Sequence, residues 1–484
     1  MKNNQNIHVE VAIIGTGTAG MGAYREVRKH IDSIALIEGG HYGTTCARVG
    51  CMPSKLLIAP GELRHNTEKF ADFGLQGKIP SVDGKAVMKR VKDERDRFVG
   101  FVNEDIDSFD EKHRIQAYAS FVDDHTLSLS TGGTLTADKI IIATGSRPNI
   151  PGFFEQAKDL LITNDDVFYW DDLPKSIAVF GAGVIGLELG QALHRLGVHT
   201  HLFGVGDAVG PLSDPEVIAT SLEIFKDEFP FHSNGQVKSI ERTDKGVQIT
   251  FKPTPDSEEV TETFDYLLAA TGRKTNIDNI GIENTSLELD GRGVPIYNLM
   301  SMQCGDSHIF IAGDVNGDIP LLHEAADEGR LAGENASTFP QVFKKARKTS
   351  LGVVFSDPQI ATVGMSFRAL TEKLGCHFAS GSVSFTGQGR SRVMLVNKGL
   401  LKVYGDKETG VLLGAEMIGP HNEHIAHLLA WVIQLRMTVS EVLQMPFYLP
   451  VIEEWLRIAL RDLLFNLGMG AHPPLRCIDC GPGA

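Results

Sequence analysis

Two copies of one pattern, an apolar strand that runs into Gly-x-Gly-x-x-Gly and then a helix, and a change of composition after Lys348 predict an α/β fold. It should hold two Rossmann-like dinucleotide-binding domains and a C-terminal α+β domain. A chain of 484 residues has room for about three domains. Its 42% hydrophobic and 22% charged residues are those of an ordinary globular protein. The net charge of −15, with no basic run longer than Lys344-Lys345-Ala-Arg347-Lys348, argues against nucleic acid or an anionic membrane as the main partner. Residues 1–10 are polar and lack the apolar centre of a secretory signal, and no stretch approaches the roughly 20 apolar residues needed to span a bilayer. Six cysteines in so long a chain are no extracellular disulfide framework. The expected location is the reducing cytoplasm, where any disulfide is catalytic or regulatory.

The first unit opens with Val9-Glu-Val-Ala-Ile-Ile14, a β-branched run suited to a strand buried on both faces. It leads into Gly15-Thr-Gly17-Thr-Ala-Gly20, a helix to about His30, and a second strand that ends at Glu38. Such glycines let the backbone turn tightly and approach a pyrophosphate at a helix N-terminus. An acid about 20 residues on accepts hydrogen bonds from a ribose.

The stretch Gly43-Thr-Thr-Cys46-Ala-Arg-Val-Gly-Cys51-Met-Pro53-Ser-Lys55 follows. Pro53 fits the first turn of a helix, where its missing N–H has no partner to lose. Cys51 is therefore expected at a helix N-terminus, where peptide dipoles favour thiolate, with Cys46 in the preceding loop. The spacing suits a redox dithiol. It also suits two unrelated buried cysteines, and C-x4-C by itself does not choose between them. A charged helical region is expected over 85–112, and then a strand into Ala143-Thr144-Gly145.

The second unit begins at Ser176-Ile-Ala-Val-Phe180, turns through Gly181-Ala-Gly183-Val-Ile-Gly186 past Glu188, and returns in His199-Thr-His-Leu-Phe203. Gly204 stands where a ribose-binding acid is expected, and no Arg or Lys is beside it to bind a 2′-phosphate, which favours NAD(H) over NADP(H). Tyr266 to Gly272-Arg273 closes this unit. His308-Ile-Phe-Ile-Ala-Gly313-Asp314 repeats the strand-then-glycine pattern, and Asp314 suits a sugar or ribityl hydroxyl. Strands with glycine turns follow, then helices over 421–467. The Gly- and Pro-rich residues 468–484, expected to be mobile, carry Cys477-Ile-Asp-Cys480. Cys304 and Cys376 have no partner in sequence and are expected to be structural. The expected boundaries are 1–150, 151–280, 281–348 as a return segment that completes the first domain, 349–467 and 468–484.

These motifs together, with Ser356-Asp-Pro-Gln-Ile-Ala-Thr-Val-Gly364, resemble the pyridine nucleotide–disulfide oxidoreductases over residues 9–465, and within them the dihydrolipoamide dehydrogenase group. The resemblance implies FAD on the first unit, with Glu38 at the adenosine ribose and Asp314 at the ribityl chain. It implies NAD(H) on the second unit, and Glu188 paired to Lys55 beside the flavin. It implies a redox disulfide Cys46–Cys51 in which Cys51 lies nearer the flavin and Cys46 exchanges with a lipoyl-like disulfide or dithiol substrate. The C-terminal domain would then make a homodimer. The family's His-Pro-x-x-x-Glu segment reads Leu449-Pro450-Val-Ile-Glu-Glu454 here, with an apolar side chain in place of the acid/base imidazole. If Glu454 is buried without that partner, its pKa should rise.

Two further acceptors fit that departure: a metal ion, or the chain's own Cys477–Cys480 pair as a relay. A reading of another class is a flavin-bearing binding or assembly protein. Retention of Cys46, Cys51, Lys55 and Glu188 argues against it.

Overall fold

The computed structural model describes residues 6–471. The tail cysteines Cys477 and Cys480 lie outside the described residues. The chain forms two compact units, one of residues up to 56, 89–149 and 272–347, the other of 57–88, 150–271 and 348 onward. The helix Cys51–Asn66 begins in the first unit and ends in the second.

The first unit is built on a seven-stranded sheet in the order Arg114–Gln116, Ile34–Glu38, Asn6–Ile14, Thr134–Ile142, Thr126–Leu129, Ala119–Phe121, with Ile309–Ile311 beside the end of Thr134–Ile142. Asn6–Ile14 is the central strand, parallel to both neighbours, with Val11 opposite Ile34 and Ile14 opposite Ile142. Its alternation sends Val11 and Ile13 to one core and Ala12 and Ile14 to the other, so the strand is apolar throughout from Val11 to Ile14. Helix Thr18–Val27 packs on one face against helix Leu322–Thr338. Two glycines set their separation: a Cβ on Gly329 would stand 2.2 Å from the Ala19 carbonyl oxygen, and one on Gly333 2.6 Å from that of Ala23. The segment 272–347 returns to this unit and supplies both Ile309–Ile311 and Leu322–Thr338.

The second unit has a parallel sheet in the order Phe231–His232, His199–Phe203, Ser176–Phe180, Tyr266–Ala269, Leu161–Ile162. It also has an antiparallel sheet of Gln236–Thr243, Gly246–Lys252 and Val260–Phe264. The α+β portion is a five-stranded antiparallel sheet, Leu351–Val354, Gln359–Gly364, Leu412–Gly419, Leu400–Asp406, Phe378–Ser384, covered by helices Asn422–Gln434 and Leu456–Asn466.

The two portions of this unit are joined by buried polar groups. Gln191 exchanges two hydrogen bonds of 2.8 Å with the Asp357 backbone, and Arg195 donates to the Asp357 carboxylate at 2.9 Å. Residues 57–88 also cluster with this unit, although the sequence reading kept them in the first domain. Among the described residues no helix is long and apolar enough to cross a membrane.

Candidate active site

Cys46 and Cys51 are joined by a thiol–thiol hydrogen bond. Cys51 is the first residue of helix Cys51–Asn66, as its Pro53 signal predicts. Cys46 is not in a loop: it is the second residue of a one-turn helix, Thr45–Val49, whose N-terminus is capped by the Thr44 hydroxyl accepting from the Ala47 N–H at 3.2 Å. The sequence reading missed this helix because a Gly-Thr-Thr run looks like a loop, while Thr at an N-cap position is an equally good helix start. Thr44 has φ 57° and ψ 152°, a conformation rarely adopted by a β-branched residue. Strain is thus held in the turn that presents the dithiol.

Gly50 separates the two helices, where a Cβ would lie 3.1 Å from the Thr45 carbonyl oxygen. Cys46 is half-buried and Cys51 exposed. The hydrogen bond with Cys51 pushes the Cys46 pKa well above the usual thiol range, burial adds to this, and the Lys55 charge opposes it. Lys55 donates to the Ser54 hydroxyl at 3.3 Å, which donates to the Cys51 carbonyl at 3.2 Å.

At the first glycine turn the three glycines do different work. Gly15 has φ +108°, and a Cβ there would come 2.3 Å from the Ala143 carbonyl oxygen. A Cβ on Gly20 would come 1.9 Å from the Gly15 carbonyl oxygen, yet one on Gly17 would meet nothing within 4 Å. The open flank of Gly17, at the N-terminus of helix Thr18–Val27, is the cradle a pyrophosphate requires. Glu38 ends strand Ile34–Glu38 with its carboxylate at this turn, accepting from the Thr16 N–H (2.9 Å), the Thr16 hydroxyl (2.7 Å) and the Gly40 N–H (2.8 Å).

Thr144 and Gly145 are tied to the returning segment through Asn276, whose N–H donates to the Gly145 carbonyl at 2.9 Å. Ser146, which the sequence reading passed over, joins two of the chosen residues: its hydroxyl donates to Asp314 Oδ2 at 2.8 Å and accepts from Arg273 Nε at 2.7 Å. Glu328 was also missed. Buried on helix Leu322–Thr338, it accepts from the Gly313 N–H at 2.7 Å and the Asn316 amide at 2.8 Å, and so holds the turn that presents Asp314. Arg347 pairs with its other oxygen at 2.6 Å.

The second turn repeats the first. A Cβ on Gly181 (φ +115°) would meet the Ala270 carbonyl oxygen at 2.2 Å and one on Gly186 the Gly181 carbonyl oxygen at 1.8 Å, while Gly183 is open. Gly272 closes this side at φ +94°. Glu188 is no surface carboxylate: it is 4% exposed and accepts from the Phe355 N–H at 3.0 Å.

Residues 9–329 match the family described as pyridine nucleotide-disulphide oxidoreductase, and residues 350–460 match its dimerisation domain. The chain belongs to the pyridine nucleotide-disulphide oxidoreductases. It is similar to the dihydrolipoyl dehydrogenase of Haloferax volcanii, 30% identical over 90% of this chain and 91% of that one. The mercuric reductase of Staphylococcus aureus is 26% identical over 91% of this chain and 79% of that one. Two solved structures share the fold. One is the Cu(II) complex of the HOCl-induced flavoprotein disulfide reductase RclA from Escherichia coli (TM-score 0.78, 22% identity, 94% of this chain and 99% of that one). The other is LpdA from Mycobacterium tuberculosis (TM-score 0.78, 23% identity, 94% and 100%). The protein is accordingly a dihydrolipoyl dehydrogenase-like oxidoreductase that uses FAD and NAD(H). The two open glycine flanks fit two such dinucleotides.

The C-terminal segment departs from this oxidoreductase family's pattern at one residue. Leu449 is 42% exposed, beside the more exposed Tyr448. Glu454, in the short helix Glu453–Trp455, is buried, and in place of an imidazole it accepts from Gln388 Nε2 at 3.0 Å. Gln388 also donates to the Val451 carbonyl at 2.9 Å. Burial raises the Glu454 pKa, against the smaller opposing effects of Gln388 and Arg457, in the direction the sequence reading expected. Of the two cysteines expected to be structural, Cys304 is buried and Cys376 is exposed.

Proposed function

We propose that this oxidoreductase exchanges electrons between NAD(H) and a lipoyl-like disulfide, with Cys46 and Cys51 as its redox pair. The observation that carries the reading is the hydrogen-bonded Cys46–Cys51 pair, with Cys51 opening a 16-residue helix and Lys55 one turn further on. FAD, when bound, supplies the two-electron exchange between the nicotinamide and this pair.

The chain's own residues do the rest. The backbone at Gly15, Gly17 and Gly20 accepts a pyrophosphate, Glu38 binds ribose hydroxyls in exchange for its contacts with Thr16, and Asp314, steadied by Ser146 and Arg273, accepts from a ribityl hydroxyl. Thr144 and Gly145 line the same turn. Gly181, Gly183, Gly186 and Gly272 cradle the second dinucleotide, and Glu188 lies one helical turn beyond Gly183 to orient its nicotinamide. Lys55 supplies positive charge beside the dithiol.

In disulfide reduction, Cys46 sulfur attacks one sulfur of the substrate. The substrate S–S bond breaks and its second sulfur leaves as a thiolate, which takes up the Cys46 proton. Cys51 thiolate then attacks Cys46, breaks the mixed disulfide and releases the second substrate sulfur as a thiolate, which takes a proton from solvent, and two electrons have left the dithiol. Since Leu449 offers no acceptor, the Cys46 proton passes directly to the leaving substrate thiolate. The reading places the enzyme in a reducing cytoplasm and makes it a homodimer through residues 349–467.

A second reading rests on Leu449 itself: an acceptor that needs no proton delivery, such as a metal ion or quinone, would not miss the imidazole. Anaerobic assays of NADH with lipoamide, glutathione disulfide, mercuric ion and a quinone separate the two. The leading reading expects lipoamide turnover that Cys46→Ser and Cys51→Ser each abolish while NADH:quinone turnover persists. Lipoamide turnover that survives Cys46→Ser would sink it.

A further inference from the structure

Three side chains of the second unit that have no role above converge. His199 and His201 stand two apart on strand His199–Phe203, so their rings project from one face of the parallel sheet. Glu262 comes from strand Val260–Phe264 of the neighbouring antiparallel sheet. Both imidazole Nε2 atoms aim at one carboxylate oxygen, Glu262 Oε2, at 3.4 Å each, and the three donor atoms all lie within 4.8 Å of one another.

That distance is long for a pair of N–H···O hydrogen bonds, whose usual length is about 2.9–3.0 Å. It matches the edge of a tetrahedron around an ion with bonds of roughly 2.0–2.2 Å to nitrogen and oxygen, which works out at about 3.3–3.5 Å.

The surroundings are those of a built site. His201 is buried, and its Nδ1 is hydrogen-bonded to His232 Nε2 at 3.1 Å, which fixes the ring with Nε2 toward Glu262. A partner on the far nitrogen is the usual support of a metal-ligating imidazole. Phe264 and Phe251 pack edge-on against the His201 ring at centroid distances of 5.3 and 6.1 Å, and give it an apolar wall. His199 is exposed and Glu262 half-buried, which leaves an approach from solvent.

We propose that His199, His201 and Glu262 bind a divalent transition-metal ion of the zinc class, with His232 as the positioning residue for His201 and a water at the fourth position. Two imidazoles and a carboxylate suit Zn(II) and Co(II), and exclude the all-oxygen preference of Mg(II) and Ca(II). The ion links the second strand of the nucleotide fold to the outer strand of the antiparallel sheet, and so clamps two sheets of one unit.

The test uses the full-length FAD-loaded enzyme with its accessible thiols alkylated, so that cysteines do not compete. Co(II) and Zn(II) are titrated, Co(II) by its visible four-coordinate absorption and Zn(II) by competition with a chromophoric chelator. The expected result is that His199→Ala and Glu262→Gln each lower uptake by one equivalent per chain relative to wild type at micromolar metal, and remove any rise in melting temperature that Zn(II) produces. His232→Gln should retain the equivalent with an affinity about 10- to 100-fold weaker. His199 and Glu262 are at the surface, and unfolding of the metal-free variants at the wild-type temperature verifies that they fold. Equal stoichiometry in wild type and His199→Ala, or uptake of Mg(II) in preference to Zn(II), would overturn the proposal.

Discussion

Leu449 is where one side chain carries most of the chemical consequence. General acid–base catalysis contributes about 10²–10⁴-fold, and an isobutyl group supplies none of it. Leu449→His should therefore raise lipoamide kcat by an order of magnitude or more and leave NADH:quinone turnover within about twofold; no gain in lipoamide turnover would show that proton delivery at this position is not limiting. Glu454 supplies a second test with a definite sign. Its native pKa is raised by burial, so between the ordinary carboxylate range and the raised value the native state holds more protons than the unfolded one, and stability falls as pH rises through that window. Glu454→Gln keeps an acceptor for Gln388 and removes the charge. It should raise the melting temperature at pH 7 to 8 and change it little at pH 4; an equal shift at both would mean that the charge is not the cause. At this scale the sequence was an uneven guide. Cys46, Cys51, Glu38 and Asp314 could be named because strand, glycine and spacing mark them. Ser146, Glu328 and Gln388 could not, because their roles are hydrogen bonds to residues 12 to 168 positions away, and nothing in their neighbourhood announces the partner.

The elements were read most accurately where apolar runs are bounded by glycine. Strands Ser176–Phe180 and His199–Phe203 begin and end where expected, since each is a parallel strand buried beyond its first residue. The charged region 85–112 instead resolves into helix Gly84–Asp107 and a separate 3-10 turn, Glu111–His113, because helix periodicity does not mark where a polar helix stops. The paired glycine turns show what the strand–glycine–helix element is for, and they separate packing from ligand binding. Gly20→Ala and Gly186→Ala put a methyl group inside van der Waals contact with a carbonyl oxygen and should fail to fold or lose several degrees of melting temperature. Gly17→Ala and Gly183→Ala meet nothing in the protein. Gly17→Ala should fold at the wild-type melting temperature of the FAD-free protein and retain FAD at least tenfold more weakly. Gly183→Ala should keep its FAD and raise the KM for NADH by a similar factor. Were Gly17→Ala to hold FAD as tightly as wild type, the pyrophosphate would not lie on that flank.

For the molecule as a whole, the proposed reading has the segment around Leu449 and Glu454 serve the dithiol of the other protomer of a homodimer. The dimerisation domain is matched over residues 350–460, which includes both residues. The sequence reading expects that sharing because the dithiol and the His-position segment fall in different domains, and Cys46 and Cys51 indeed belong to one compact unit and Glu454 to the other. It makes a prediction no single-chain mechanism shares. A double variant, Leu449→His with Cys51→Ser, has an imidazole but no working dithiol and should be inactive with lipoamide. Mixed with wild-type protein under conditions that exchange subunits, it forms heterodimers in which the intact dithiol of one protomer faces the imidazole of its partner. Those heterodimers should turn over lipoamide at about half the rate of the Leu449→His homodimer, because one of two sites is complete, and at several times the rate of wild type. Purified heterodimers no faster than wild type would place the imidazole's work within one chain and would leave the shared site without support.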